Sequence, residues 1–237
     1  MCKVSSNIPI FISARGNNIN ISNKNKEALK YTYVLIEEMN MFNQTYIISD
    51  SQEMLDYAKL LGFKHFIYQE CKTKEDIIYL DYIGIYNFYK KTGYKPDWFI
   101  LLSINQLFRD KNLIYNCIRN IDAKYDVIAS YTEISNPSSF VLDENNKIIN
   151  GEHLNSSIIE RKKIVDASIY AINTDFAIYI MECGEADRSK VFWNGKFKFF
   201  KNNSLYTDIY LLDDINKYND IINKINKVKQ LSIEKGI

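Results

Sequence analysis

The residues best suited to chemistry stand in "ISARGNNINISNKN", Ile12 to Asn25, where an apolar run gives way to a helical pattern. Arg15 offers a planar fork that matches phosphate oxygens, and Lys24, nine residues on, a point charge. A loop that leaves a strand and enters a helix presents backbone N–H groups, and the helix dipole favours an anion there. Only one glycine, Gly16, is present. Asn tolerates left-handed backbone angles better than most residues, so Asn17, Asn18 and Asn20 could stand in for others. The stretch matches neither the P-loop, GxxxxGK followed by Ser or Thr, nor the dinucleotide fingerprint GxGxxG. Two readings follow from spacing alone: a phosphate-binding turn, or a polar turn whose Arg and Lys are solvated.

Further along, the polar residues have plainer readings when taken one at a time. Asp50 could cap the helix that begins beside it, and Thr73 is an ordinary N-cap residue. Arg109 and Asp110 could open a helix, with Arg109 solvated. Asp208, at the end of a strand-like run, reads as a cap or a solvated acid, and Asp213 or Asp214 as the cap of the last helix. Tyr79, Tyr82, Tyr86 and Tyr89 repeat at three- and four-residue spacing and suit core and interface packing. His65, Trp193 and Phe199 read as structural.

These residues need elements to position them, and the chain is long enough to supply them. Its 237 residues, 46% hydrophobic and 14% aromatic, suit one domain spanning 1–237 with a sizeable core. The 30 basic residues balance 29 acidic ones, for a net charge of +1. That argues against nucleic acid as the main partner, because phosphate neutralisation needs a concentrated basic face. Cys2, Cys71, Cys117 and Cys183 are far apart, which suits buried thiols in a reducing cytosol rather than zinc ligands or a disulfide framework. No leader-like segment or long apolar run is present, so a cytoplasmic protein with no membrane contact is expected.

"IPIFISA", "QTYIISD", "KHFIYQ", "DWFILLS" and "YDVIASYT" read as strands. Between them, "NKEALKYTYVLIEEMNMF", "SQEMLDYAKLLG", "KEDIIYLDYIGIYNFYKKTG" and "RDKNLIYNCIRNI" read as helices. The second of these starts at Ser51 and stops at Gly62. Such alternation predicts an α/β fold: a mostly parallel, doubly wound sheet with helices on both faces. After residue 131 the rhythm breaks. "NPSSFVLDENNKIING" predicts a hairpin around Glu144–Asn146, within a small insertion over 132–165. "VDASIYAINTD" resumes as one strand, "FAIYIMEC" as a short helix, and "KFKFFK" and "SLYTDIY" as strands. "DDINKYNDIINKINKVKQ" closes the chain as a helix. In open parallel sheets ligands bind beyond the carboxyl ends of the strands. The loops after Ala14, Asp50, Gln69 and Ser103 therefore share one rim.

"ARGNNINISNKN" resembles the opening motif of the acylneuraminate cytidylyltransferases, A-R-x-x-S-K-x-x-x-x-K-N, with Ala14, Arg15, Lys24 and Asn25 in place. Asn18 and Ile19 occupy its Ser-Lys positions. "IISDS" is similar to the family's V-S-T-D. "WFILLSINQLFRD" is similar to L-L-Q-P-T-S-P-L-R, with Leu101, Leu102 and Arg109 matching and Ser103 at the Gln position. "VDASIYAI" resembles N-G-A-I-Y, and "YTDIYLLDDINKYND" resembles D-I-D-x-x-x-D, with Asp208 and Asp214 matching and Tyr210 replacing the second acid.

The resemblance implies a nucleotide-diphospho-sugar transferase-like, Rossmann-like three-layer sandwich. It also implies transfer of CMP from CTP to an acidic, sialic-type sugar, as in surface polysaccharide synthesis. On that basis Arg15 and Lys24 would hold the triphosphate, helped by the main chain from Ala14 through Gly16, Asn17 and Asn18. Asn25, Thr73 and Ser103 would face the cytidine. Asp208 would anchor Mg²⁺, with Asp213 and Asp214 nearby. A homodimer built through 132–165 is implied as well. The replacements at Ile19, Ser103 and Tyr210 motivate an alternative, a non-catalytic relative serving as a binding or regulatory subunit. A sugar-nucleotide-dependent glycosyltransferase ranks third, because "LLSINQ" lacks a D-x-D.

Overall fold

In a computed structural model the residues described are 8–16, 19–70, 80–104, 107, 109–133, 140–142, 148–149, 163–166, 169–202 and 219–236. The first half alternates β1 (Ile10–Ser13), α1 (Ile19–Met39), β2 (Thr45–Ser49), α2 (Gln52–Leu61), β3 (His65–Tyr68), α3 (Leu80–Thr92), β4 (Trp98–Ser103), α4 (Lys111–Arg119) and β5 (Val127–Glu133). Then come β6 (Phe140–Leu142), β7 (Ile148–Ile149), β8 (Lys163–Asp166), β9 (Ile169–Asn173), α5 (Thr174–Glu182), α6 (Glu185–Trp193), β10 (Phe197–Lys201) and α7 (Asn219–Lys235).

The main sheet has the order β3-β2-β1-β4-β9-β5-β10. Six of its strands run parallel and β9 runs against them, as the mostly parallel expectation required. Beyond Tyr131, β5 continues through Thr132 and Glu133 to pair with β8. β8 pairs with β6, and β6 with β7, which makes the expected hairpin.

The central strands β1, β2, β4, β5 and β9 bury both faces. In β1, Ile10 and Ile12 point to one side and Phe11 to the other, a near-continuous apolar run of the kind sandwiched strands need. The Ile10 side packs under α1, α2, α4 and α7, through Leu29, Ile36, Met54, Leu61, Leu113 and Val228. The Phe11 side packs under α3, α5 and α6, through Ile85, Phe88, Ala177 and Phe192.

Several local expectations change. "VDASIYAINTD" is two strands, not one, because β8 pairs with β6 and the end of β5 while β9 pairs with β4 and β5. α6 was not expected. In α3 the inward face is Ile85 and Phe88, while Tyr86 and Tyr89 are half-buried with the Lys90 ammonium 5.1 Å from the Tyr86 ring. His65 stacks on Tyr46 at 4.9 Å, and Trp193 on Phe197 at 6.0 Å, both structural as expected. Cys117 is buried and Cys183 half-buried, both as free thiols, and burial pushes the Cys117 thiol up. No helix among the described residues is long and apolar enough to cross a membrane.

Candidate functional site

The rim expected from the strand pattern is present. β1, β2, β3 and β4 are mutually parallel, with Ser13 level with both Ile48 and Ser103, so the loops after these strands leave the sheet side by side. The loop after β1 is short. Ala14 is fully buried, and its N–H donates to the Ile48 carbonyl at 2.8 Å, extending the β1–β2 ladder by one residue. Its amide is thereby spent on the sheet, not on a ligand.

Gly16 is next. Its N–H donates to Asp50 Oδ1 at 2.8 Å, so this amide too is committed and does not face a phosphate, contrary to expectation. A Cβ at Gly16 would stand 2.4 Å from Ser51 Cβ. The glycine is there for close approach to the α2 start.

Asp50, 4% exposed, is thus not the helix cap: it is a brace between two rim loops. The N-cap position of α2 is Ser51, whose side chain makes no capping bond.

Asn25 is also reassigned. It is 7% exposed, and its Nδ2 donates to the Arg15 carbonyl at 2.8 Å, so its amide nitrogen faces the loop rather than a cytidine. Asn20 does not substitute for a glycine, because α1 already begins at Ile19. Lys24 falls on the second turn of that helix; its side chain lies outside the described part of the structure.

Arg15 itself is half-buried. Its Nε is buried with no hydrogen-bond partner among the described residues, so the guanidinium has donor capacity left for an anion. On α1, Lys26 pairs with Glu53 and lies 5.6 Å from the Tyr57 ring, tying α1 to α2. Burial, then Glu27, drives the Tyr57 phenol well above its ordinary value.

Against this geometry, similarity to solved structures can be read. No family model matches the sequence, and no curated protein matches it significantly. Solved structures do. A Bacillus anthracis protein assigned as a glucose-1-phosphate thymidylyltransferase, in complex with sucrose, aligns at TM-score 0.62 and 16% identity, over 90% of this chain and 94% of that one. CMP:2-keto-3-deoxy-manno-octonic acid synthetase complexed with CTP aligns at 0.61 and 14%, over 90% and 98%. The 4-diphosphocytidyl-2C-methyl-D-erythritol synthase of Anaerococcus prevotii aligns at 0.53 and 11%, over 91% and 98%. The fold is nucleotide-diphospho-sugar transferase-like.

Within that fold Arg109 is neither solvated nor at the rim surface. It is 3% exposed, and its Nη2 donates to Thr32 Oγ1 on α1 at 3.2 Å. Burial lowers its pKa. The cap of α4 is Asp110, whose Oδ1 accepts from Asn112 N at 2.8 Å. Ser103 ends β4 at the rim, with its side chain outside the described part.

Asn17, Asn18, Thr73, Asp208, Asp213 and Asp214 lie outside the described residues. Among the described residues no three His, Cys, Asp or Glu gather to hold a metal.

The structure therefore brings Ala14, Arg15, Gly16, Asn25 and Asp50 together, and buries Arg109 against Thr32 of α1. Sequence reading found the loop but missed its bracing. The signal for Asp50 was only its place one residue past β2; reading it required knowing that β2 lies next to β1.

Proposed function

We propose that this chain is a nucleotidyltransferase that transfers CMP from CTP to an acidic, nonulosonic-type sugar. One observation carries the reading: a guanidinium with an unpartnered buried Nε, on a braced loop at the carboxyl rim of a sheet with this fold. In the reaction a sugar oxygen attacks the α-phosphorus of CTP; the bond to the β-phosphate bridging oxygen breaks, and pyrophosphate leaves with the electron pair. Little covalent help is needed from the protein, so positioning and neutralisation of charge do most of the work.

Arg15 takes the phosphate oxygens as a fork, and Lys24 adds a second positive charge. Ser103 and Thr73 are the residues assigned to the cytidine. Magnesium, when bound, neutralises phosphate charge, and Asp208 is the carboxylate assigned to it, with Asp213 and Asp214 as further acids. Asp50 fits that role poorly, since its Oδ1 is occupied by Gly16 N–H.

Chain length is compatible with this assignment. β10 ends at the rim four strand spacings from β1, about 19 Å. The six residues from Asn202 to Asp208 reach about 20 Å when extended. The acceptor pocket and a homodimer contact are assigned to 132–165.

Pyrophosphate release from Mg-CTP, screened over a panel of nonulosonic acids, tests the reading. Turnover with one acid that disappears in Asp208→Ala is expected. Binding of CTP without turnover on any acid would favour the non-catalytic subunit instead.

A further inference from the structure

We propose that Asp50 and Asn25 are positioning residues that clamp a single peptide group, the one joining Arg15 to Gly16, and act on the nucleotide through Arg15. The inference rests on the nucleotide reading above and adds what fixes the phosphate-binding arginine. The Arg15 carbonyl and the Gly16 N–H belong to the same planar unit and point in opposite directions from it. Asn25 Nδ2 donates to the carbonyl end at 2.8 Å, and Asp50 Oδ1 accepts from the N–H end at 2.8 Å. The two side chains come from separate elements, α1 and the end of β2, and are 7% and 4% exposed. One residue upstream, Ala14 N–H is held by the Ile48 carbonyl.

Rotation of this peptide would break both side-chain bonds and leave two buried polar groups unpaired, a costly state. The clamp thus sets ψ of Arg15 and φ of Gly16, and with them the direction in which the guanidinium leaves the loop. It also keeps the Arg15 carbonyl turned toward Asn25. Glycine-rich phosphate loops achieve a close backbone approach through conformational freedom; here one glycine suffices because neighbouring side chains impose the geometry.

A buried carboxylate beside an anion site also has a cost, since its charge opposes the phosphates. That makes the proposal sharply testable. Asp50→Asn keeps the acceptor oxygen and removes the charge; Asp50→Ala removes both. By calorimetry with Mg-CTP, Asp50→Ala is expected to bind about tenfold more weakly than the native protein, or worse, and Asp50→Asn at least as tightly. Asn25→Ala is expected to match Asp50→Ala, and the double variant to be little weaker than either single one, because one plane has been released. Asp50→Ala binding as tightly as the native protein, or more tightly, would overturn the clamp and leave only charge repulsion at this position.

Amide hydrogen exchange supplies an arm that needs no nucleotide. Gly16 N–H is expected to exchange about tenfold faster in Asp50→Ala, relative to core amides, and to recover in Asp50→Asn. An unchanged Gly16 rate overturns the clamp even if CTP binds. If the native protein binds no CTP, the functional reading falls, and the exchange result alone decides the clamp. Should Asp50→Ala fail to fold, Asn25→Ala and Asp50→Asn carry both readouts.

Discussion

At the scale of single residues, Ala14 N–H and Gly16 N–H are both used internally, so on the reading proposed above the phosphate contact falls to the Arg15 side chain and not to these two amides. This makes Gly16→Ala informative. The new Cβ would overlap Ser51 Cβ, which is 2.4 Å away, so the loop must move off α2. A stability loss of about 1–3 kcal/mol is expected by thermal unfolding, accompanied by weakened CTP binding. Unchanged binding together with reduced stability would separate Gly16 from the site. Arg15 and Lys24 stood out in the sequence as candidates because cations after an apolar run are conspicuous. The hydrogen bonds of Asp50 and Asn25 did not, because one spans 34 residues and the other returns 10 residues from inside a helix to the loop before it, and neither leaves a local trace.

At the scale of elements, strand and helix alternation through β5 was readable because each run is bounded by polar or turn residues. α6 was not. In "EADRSKVFW" the apolar residues cluster at the end instead of repeating, and Gly184 offers no side-chain cap. The helix is held from outside, where Phe192 meets Tyr170 at 6.3 Å and Phe197 at 5.3 Å. The split of β8 from β9 was hidden for a similar reason, since strand propensity says nothing about partners.

α2 provides a control for the rim. Its end, Gly62, has φ of +121°, and a Cβ there would approach the Tyr33 ring at 3.2 Å. Gly62→Ala should cost about 1–2 kcal/mol or more, read as a lower melting temperature. CTP affinity should hold, because this end of α2 leads into β3 on the side away from the rim. A loss of affinity equal to that of Gly16→Ala would show that general loosening, not loop geometry, weakens the site.

At the scale of the whole molecule, the two packed faces impose a pH limit. Burial, and then Glu27, pushes the Tyr31 phenol from its ordinary 10.0 up to about 12; Tyr33, Tyr46 and Tyr57 are raised too, burial being the first cause in each. A phenol raised in the folded state contributes stability that is complete below pH 10 and is lost as pH climbs toward 12. Tyr31, only 4% exposed, accounts for roughly 2–3 kcal/mol of that loss. Arg109 works in the opposite sense, one guanidinium against four phenols. In alkaline titration the part of the tyrosinate absorbance owed to these four phenols, among 18 tyrosines, should therefore rise together with loss of helix signal, after the exposed tyrosines have ionised. Ionisation of these phenols well before unfolding would contradict the burial described.

The fold class was legible because both sides of the sheet are written as apolar runs. The bracing of the rim was less so, because it depends on groups meeting from the β1 and β2 ends and α1. The most direct measurement is calorimetric titration of the native chain and Arg15→Ala with Mg-CTP. Saturable binding is expected for the native chain, and affinity lower by about tenfold or more for the variant. Absence of binding in the native chain, or equal affinity in Arg15→Ala, would contradict the assignment of this loop to a nucleotide.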